Sequence, residues 1–344
     1  MALRVALIGA GQVANVHLQA LSETTAVEVV GIYDADQARA QEKATTYGIG
    51  KVYGSWDQLL RDPAVQCVAV LLPHDLHEQY TIEALEAGKH VVCEKPLGQS
   101  IEEVNRMLQA ATDADRTMLT VQNRLYSFAV EKLTEIVTSG QIGEVIIAQT
   151  TGFEGPKTVH VRPWLATKAG GGGVLIAQSV HPAYVLRSLL GDVAKVSCQF
   201  GDLKVVDMTA EDTAVVTLKF ASGAIAEMTA TFGIAYGPFE HSIVLHGREG
   251  YAALGVGGHT ATHRYALQVI SPKLFGDTEM HTIELPTDVS TTSFKRMWED
   301  YAPHLEGGAS CRVSPEDGKK SVEIILAAYK SNATGRVVDL PLSE

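Results

Sequence analysis

Leu3-Arg4-Val5-Ala6-Leu7-Ile8-Gly9-Ala10-Gly11-Gln12-Val13-Ala14 opens the chain with an apolar run, a glycine turn and a small residue three positions further on. Residues 5–8 read as a strand buried on both faces. Gly9 permits a tight turn, Gly11 lets backbone approach a pyrophosphate, and Ala14 allows close helix–strand packing. The helix entered through Gln12 and Val13, with Val13, Val16, Ala20 and Leu21 on or near one face, aims its first N–H groups at that anion. A glycine-rich turn alone is common. Here a second strand, 27–33, ends at an acid, Asp34, about 20 residues beyond Ala14. Such a carboxylate accepts hydrogen bonds from ribose hydroxyls and repels a 2′-phosphate, which favours NAD. Arg39, roughly one helical turn further on, leaves NADP possible.

Strand and helix patterns alternate from there. A polar helix over 37–47 and a short one over 56–60 precede an apolar strand at 65–72, which Leu72 and Pro73 close. A helix over 76–87 stops at Gly88, and a strand (91–93), a helix (101–112) and a strand (118–121) follow. Repeated β-α-β units predict a doubly wound parallel sheet over residues 1–122. Beyond that the texture changes. A helix over 129–139 ends at Gly140, and then alternating strands dominate. Ala214, Val216, Leu218 and Phe220 share one face, and 224–232, 241–246 and 266–270 continue the pattern. Residues 123–344 are therefore expected to form an α+β domain around an antiparallel sheet.

Within the first part, Gly88-Lys89-His90-Val91-Val92-Cys93-Glu94-Lys95-Pro96-Leu97-Gly98 places a lysine just past a short strand. Ligands of open parallel sheets bind outside the carboxyl ends of strands, so this ammonium faces the cofactor crevice. Pro96 biases Lys95 away from helical geometry. A lone Glu-Lys-Pro is more often a solvated turn, and the fingerprint upstream sets this one apart.

Composition excludes several alternatives. The 344 residues suit two domains at roughly 150 residues each. A net charge of −12 argues against nucleic acid or an anionic membrane as partner. No apolar run approaches the roughly 18 residues that span a bilayer, and the run 5–8 passes directly into the glycine turn, as a strand does and a signal peptide does not. Cys67, Cys93, Cys198 and Cys311 are isolated and the first three lie in apolar runs, as buried thiols of a reducing compartment do. A cytoplasmic protein is expected. His259 and His263 have zinc-like spacing, but their glycine and threonine context disfavours a helix, and no metal is expected.

Glu94-Lys95-Pro96 after Gly88-Lys89-His90-Val91, with Pro73 and His77 before it, resembles the Gfo/Idh/MocA family of NAD(P)-dependent oxidoreductases. Asn123-Arg124-Leu125-Tyr126, the glycines 170–173 leading to His181, and the closing Ala327-Ala328-Tyr329-Lys330-Ser331 with Gly335-Arg336-Val337-Val338-Asp339-Leu340-Pro341 match as well. The resemblance spans essentially the whole chain. It implies an N-terminal Rossmann domain, a C-terminal α+β domain with a large open sheet that forms homodimers or homotetramers, and hydride transfer on a sugar, cyclitol or related hydroxyl. It matches Pro73, His77 and Glu94 to cofactor contacts, to which Leu72 and Gln122 are added. Lys95 matches the residue that hydrogen-bonds the reacting oxygen, and His181 the acid/base. Asn123, Arg124, Tyr126, Arg162 and Trp164 are candidates for the substrate side.

The chain departs from the family pattern at one place. Aspartates usual before and after the histidine are replaced by Ala177 and Tyr184, so His181 is expected to lack an orienting partner, with Tyr184 a further candidate for chemistry. Pro182 is expected to push His181 out of helical geometry. Loss of the carboxylate keeps two other readings open: an NAD-retaining lyase or glycosidase working by transient oxidation, and a non-catalytic NAD-binding sensor.

Overall fold

The computed structural model describes residues 2–160, 162–201, 203, 208–234, 241–255, 267–286, 290–308 and 310–342. His259, His263 and Ala266 lie outside them. In chain order the elements are β1 (Leu3–Ile8), α1 (Gln12–Ser22), β2 (Val27–Tyr33), α2 (Gln37–Tyr47), α3 (Trp56–Leu60), β3 (Cys67–Val70), α4 (His77–Glu86), β4 (His90–Cys93), α5 (Ile101–Asp113) and β5 (Met118–Thr120). There follow α6 (Phe128–Thr138), β6 (Val145–Phe153), α7 (Lys157–His160), α8 (Val180–Leu190), β7 (Val193–Gly201), β8 (Thr213–Phe220), β9 (Ile225–Thr231), β10 (His241–Gly247), β11 (Gly250–Leu254) and β12 (Leu267–Ile270). The last are α9 (Pro272–Phe275), β13 (His281–Ile283), α10 (Ser290–Leu305), α11 (Pro315–Thr334) and β14 (Val338–Asp339).

Two compact units result, one of residues 1–126 with 290–319, the other of 127–289 with 320–344. The segment 290–319, placed by sequence with the second domain, packs with the first. In the first unit β1–β5 form a wholly parallel sheet in the order β2-β1-β3-β4-β5. Order reverses on either side of β1, so β1 and β3 bracket a switch point where the carboxyl ends of the strands open a crevice. Side-chain oxygens fix the helix starts: Asp36 accepts from Ala38 and Arg39, and Ser100 from Glu103. On α10, Phe294, Met297, Trp298, Tyr301, Ala302 and Leu305 are buried, with the i, i+3, i+4 spacing of one helical face. Burying each of the large ones contributes about 1.5–3 kcal/mol, and this stripe holds α10 to α1. The Tyr301 hydroxyl donates to the Thr120 carbonyl at 2.7 Å, tying α10 to the end of β5.

The second unit is a nine-stranded sheet, β13-β12-β11-β10-β6-β9-β8-β7-β14, antiparallel except where β6 runs parallel to β9. Ala214, Val216, Leu218 and Phe220 are buried in alternation, as the pattern predicts. The opposite face exposes Ile147, Val215 and Ile225. Among the described residues, no helix is long and apolar enough to cross a membrane.

Candidate functional site

In the first unit the site begins at backbone crowding. Gly9 has φ +100°, and a Cβ there would lie 2.3 Å from the Leu71 carbonyl oxygen, so only glycine passes between β1 and β3. Gly11 sits at the start of α1, where no side chain caps the helix and the first turn carries no acid. A Cβ at Gly11 would meet nothing within 4 Å. Nothing crowds Gly11 at the start of this helix, whose first N–H groups and positive dipole end fit a pyrophosphate. Ala14 is fully buried where helix meets strand.

Asp34 stands above this turn at the end of β2. One carboxylate oxygen accepts the Ala10 N–H at 2.7 Å and the other the Asp36 N–H at 2.8 Å. Each oxygen keeps a further lone pair for a ribose hydroxyl. Arg39 pairs with Asp36 at 2.8 Å, so its guanidinium is engaged on the rim. The donor set fits an adenine dinucleotide at this crevice.

His77 is held on both ring nitrogens. Its ring is fully buried, with Nε2 2.9 Å from the Leu72 carbonyl and Nδ1 2.8 Å from the Pro96 carbonyl. It acts as a strut between the loops after β3 and β4. Burial pushes this imidazole below the usual histidine range, against the two carbonyls and Glu94, which favour its charged form. Glu94 is also buried, one oxygen 3.0 Å from His17 Nε2 and the other accepting the Lys95 N–H at 3.0 Å. Burial alone would raise its pKa, but His17 and Lys95 outweigh it and hold the carboxyl below the ordinary range. Lys95 follows directly at the carboxyl end of β4, half-buried, with Pro96 and Leu97 buried beyond it. Gln122 is buried just past β5.

Of the substrate-side candidates here, Asn123 donates to Ser293 Oγ at 3.2 Å and Arg124 is half-buried. Tyr126 is committed elsewhere. It is buried against Tyr301 and its hydroxyl donates to Asp300 at 2.7 Å, an internal strut of the unit.

In the second unit the glycine run is a tight fit. A Cβ at Gly172 would lie 2.0 Å from the Leu165 carbonyl oxygen, and one at Gly173, where φ is +119°, would lie 2.2 Å from Glu211 Oε1. Glu211 had no sequence signal beyond its place before β8, yet it organises the turn. Its carboxylate accepts the Leu175 N–H at 3.0 Å and the Tyr329 hydroxyl at 2.9 Å. Burial raises its pKa, and burial followed by the nearby Glu211 pushes the Tyr329 phenol well up. Trp164 and Arg162 lie on the segment that carries Leu165, and the buried Arg162 Nε has no hydrogen-bond partner among the described residues.

From this turn the chain makes one π-helical turn, Leu175–Ser179, and continues into α8. His181 is thus helical, a correction to the effect expected of Pro182. The wider π turn immediately before it lets the helix pass a residue that has no N–H to donate. His181 does not lack an orienting partner either. Its Nδ1 lies 2.9 Å from the Tyr184 hydroxyl, one turn along the same helix, with both side chains buried. A hydroxyl donates or accepts, so it supports either imidazole tautomer, whereas a carboxylate supports only Nδ1–H. Among the described residues no cluster of histidine, cysteine and acidic groups suits a metal ion.

The oxidoreductase family of NAD-binding Rossmann fold, Gfo/Idh/MocA, matches residues 3–123, and the Gfo/Idh/MocA C-terminal domain matches 130–253. The chain is 29% identical to 1,5-anhydro-D-fructose reductase of Ensifer adhaerens and 26% identical to myo-inositol 2-dehydrogenase of Thermotoga maritima, covering 98% of each chain in both comparisons. Its fold matches a levoglucosan dehydrogenase solved with NADH and levoglucosan at a TM-score of 0.88, with 23% identity over 99% of this chain and 100% of the other.

The buried Glu211 carboxyl makes a testable statement. Its raised folded pKa means that the folded state binds more protons than the unfolded one above about pH 4.3, so stability falls as pH rises through that window. Glu211→Gln should gain on the unmodified chain in unfolding midpoint as pH rises from about 4 to 7. Glu211→Ala, which orphans the Leu175 N–H, should cost about 1–3 kcal/mol throughout. A Gln-minus-Glu difference flat with pH in urea titrations would refute the assignment.

Proposed function

The chain belongs to the Gfo/Idh/MocA family of NAD(P)-dependent oxidoreductases, and on that premise we propose that it moves a hydride between nicotinamide and a secondary alcohol or ketone of a sugar or cyclitol. The observation that carries the reading is Lys95 at the carboxyl end of β4, in a unit whose first βα turn fits a pyrophosphate. The names of the reductase and the inositol dehydrogenase support the substrate class.

Bound NAD(P) supplies the hydride acceptor or donor. The chain supplies the proton chemistry. Lys95 donates a hydrogen bond to the reacting oxygen, which lowers the cost of negative charge there as the C–H bond breaks. His181 with Nδ1–H donated to Tyr184 leaves Nε2 bare as the base for the hydroxyl proton. With Tyr184 donating to Nδ1, Nε2–H returns that proton in the reductive direction. Tyr184 brings no charge, so it orients the ring without the stabilisation of imidazolium that a carboxylate gives.

Asp34 supports NAD over NADP, because a 2′-phosphate would meet its carboxylate and the cation nearby, Arg39, is held by Asp36. The apolar open face of the large sheet, with Ile147 and Ile225 close to half exposed, supports assembly into a homodimer or homotetramer.

Lys95→Ala should lower turnover by on the order of 10²-fold or more while NAD still binds. Near-normal kcat on a sugar or cyclitol that the unmodified enzyme oxidises would remove Lys95 from the mechanism. Calorimetry should show NAD binding more tightly than NADP, with Asp34→Ser narrowing or reversing the gap; tighter NADP binding to the unmodified chain would overturn this. Light scattering should find an oligomer that Ile147→Lys with Ile225→Lys dissociates, and a monomeric unmodified protein would exclude it.

A further inference from the structure

We infer that Trp298 is a positioning residue for Lys95, acting through His17 and Glu94. The role rests on the reading of Lys95 as the group that meets the reacting oxygen. All four residues lie in the first unit, and three contacts connect them. Trp298 Nε1 donates to His17 Nδ1 at 3.1 Å, His17 Nε2 lies 3.0 Å from one Glu94 oxygen, and the other accepts the Lys95 backbone N–H at 3.0 Å.

The polarity of this chain is set at its far end. An indole N–H only donates, so Nδ1 of His17 must offer its lone pair. The ring proton therefore sits on Nε2, aimed at Glu94. Both the other tautomer and the doubly protonated ring would set an Nδ1–H against the indole N–H. With Nε2–H directed at it, the carboxylate is held on one side by imidazole and on the other takes the Lys95 N–H. Were Nε2 bare, its lone pair would face the carboxylate and drive it away, releasing the Lys95 amide.

Burial makes the arrangement decisive. Trp298 and His17 are 0% exposed and Glu94 is 6% exposed, so water does not replace a lost partner. The His17 ring is also packed edge-on against Phe294 and Trp298, with centroids 4.7 and 5.9 Å away, one helical turn apart on α10. Ring rotation is thereby blocked. The consequence falls at the residue before Pro96, where the backbone sets the direction in which the Lys95 side chain leaves. Misplacing a reacting group by about 1 Å costs on the order of 10²-fold in rate.

Three variants and two readouts besides turnover test the relay. Trp298→Phe keeps an aromatic ring and removes the donor. His17→Phe removes both contacts, and His17→Gln restores one acceptor and one donor. The nitrogen NMR spectrum of His17 should show a protonated Nε2 and a bare Nδ1, and Trp298→Phe should mix the tautomers. Hydrogen exchange at the Lys95 amide should speed by about 10-fold or more in Trp298→Phe and His17→Phe, as expected for loss of one buried hydrogen bond of about 1–2 kcal/mol. His17→Gln should return it toward the native rate. Turnover should fall about 10-fold in the first two, within the range for a displaced group, with NAD affinity by calorimetry little changed. Unaltered tautomer and unaltered Lys95 exchange in Trp298→Phe would overturn the relay; if that variant does not fold, equal exchange in His17→Phe and His17→Gln overturns it instead. Full turnover in Lys95→Ala with the exchange effects intact would sink the reading of Lys95 and leave the relay standing.

Discussion

A carboxylate buried at the end of a central strand has to be paired, and Glu94 shows how much of a fold that requirement recruits. An unpaired ionised carboxyl in this position would cost several kcal/mol or give up its charge. The chain satisfies it twice, with an imidazole from α1 and with the backbone N–H of the next residue. The imidazole is held by an indole on α10, nearly the whole chain away in sequence. The return of residues 290–319 to the first unit is therefore part of the nucleotide-binding half and part of what holds Lys95 in place.

The second unit solves the same problem with a different outcome. Glu211 also lies buried next to a turn that leads into a helix, but its partners are a backbone N–H and a phenol, neither of them charged. Burial then wins, and the carboxyl moves up where that of Glu94 moves down. Two buried acids of similar exposure thus shift in opposite directions because Glu94 has the Lys95 cation and an imidazole N–H beside it, whereas burial dominates at Glu211. The glycines follow from the same crowding, since a methyl group at 173 would collide with the Glu211 carboxyl.

With Ala177 and Tyr184 at the places where the resemblance implies aspartates, His181 still has an orienting partner. The hydroxyl of Tyr184 reaches Nδ1 from one turn along, where it orients the ring without adding a charge. That exchange keeps the direction of the imidazole and gives up its electrostatic support.

Much of the first unit was legible in residues 1–122 by themselves. Glycine at 9, a small residue at 14 and an acid at 34 each answer a local steric or hydrogen-bonding need that any chain of this topology has, so spacing alone identifies them. Strand alternation in 213–220 likewise reports its own buried face. The stripe from Phe294 to Leu305 has the spacing of a helix with one apolar face, but that spacing does not name the unit to which it docks. Periodicity says that a face is buried and never against what. For the same reason the internal hydrogen bonds of His77 and Tyr126 were not legible in the sequence, and Pro182 looked like a helix breaker until a π turn took it up. Composition and spacing determined the parallel nucleotide-binding sheet, the antiparallel second sheet and the lysine at a strand end. Only the tertiary structure decided the imidazole partner of Glu94 and the phenol partner of Glu211, because a hydrogen bond between side chains distant in sequence leaves no periodic trace in either segment.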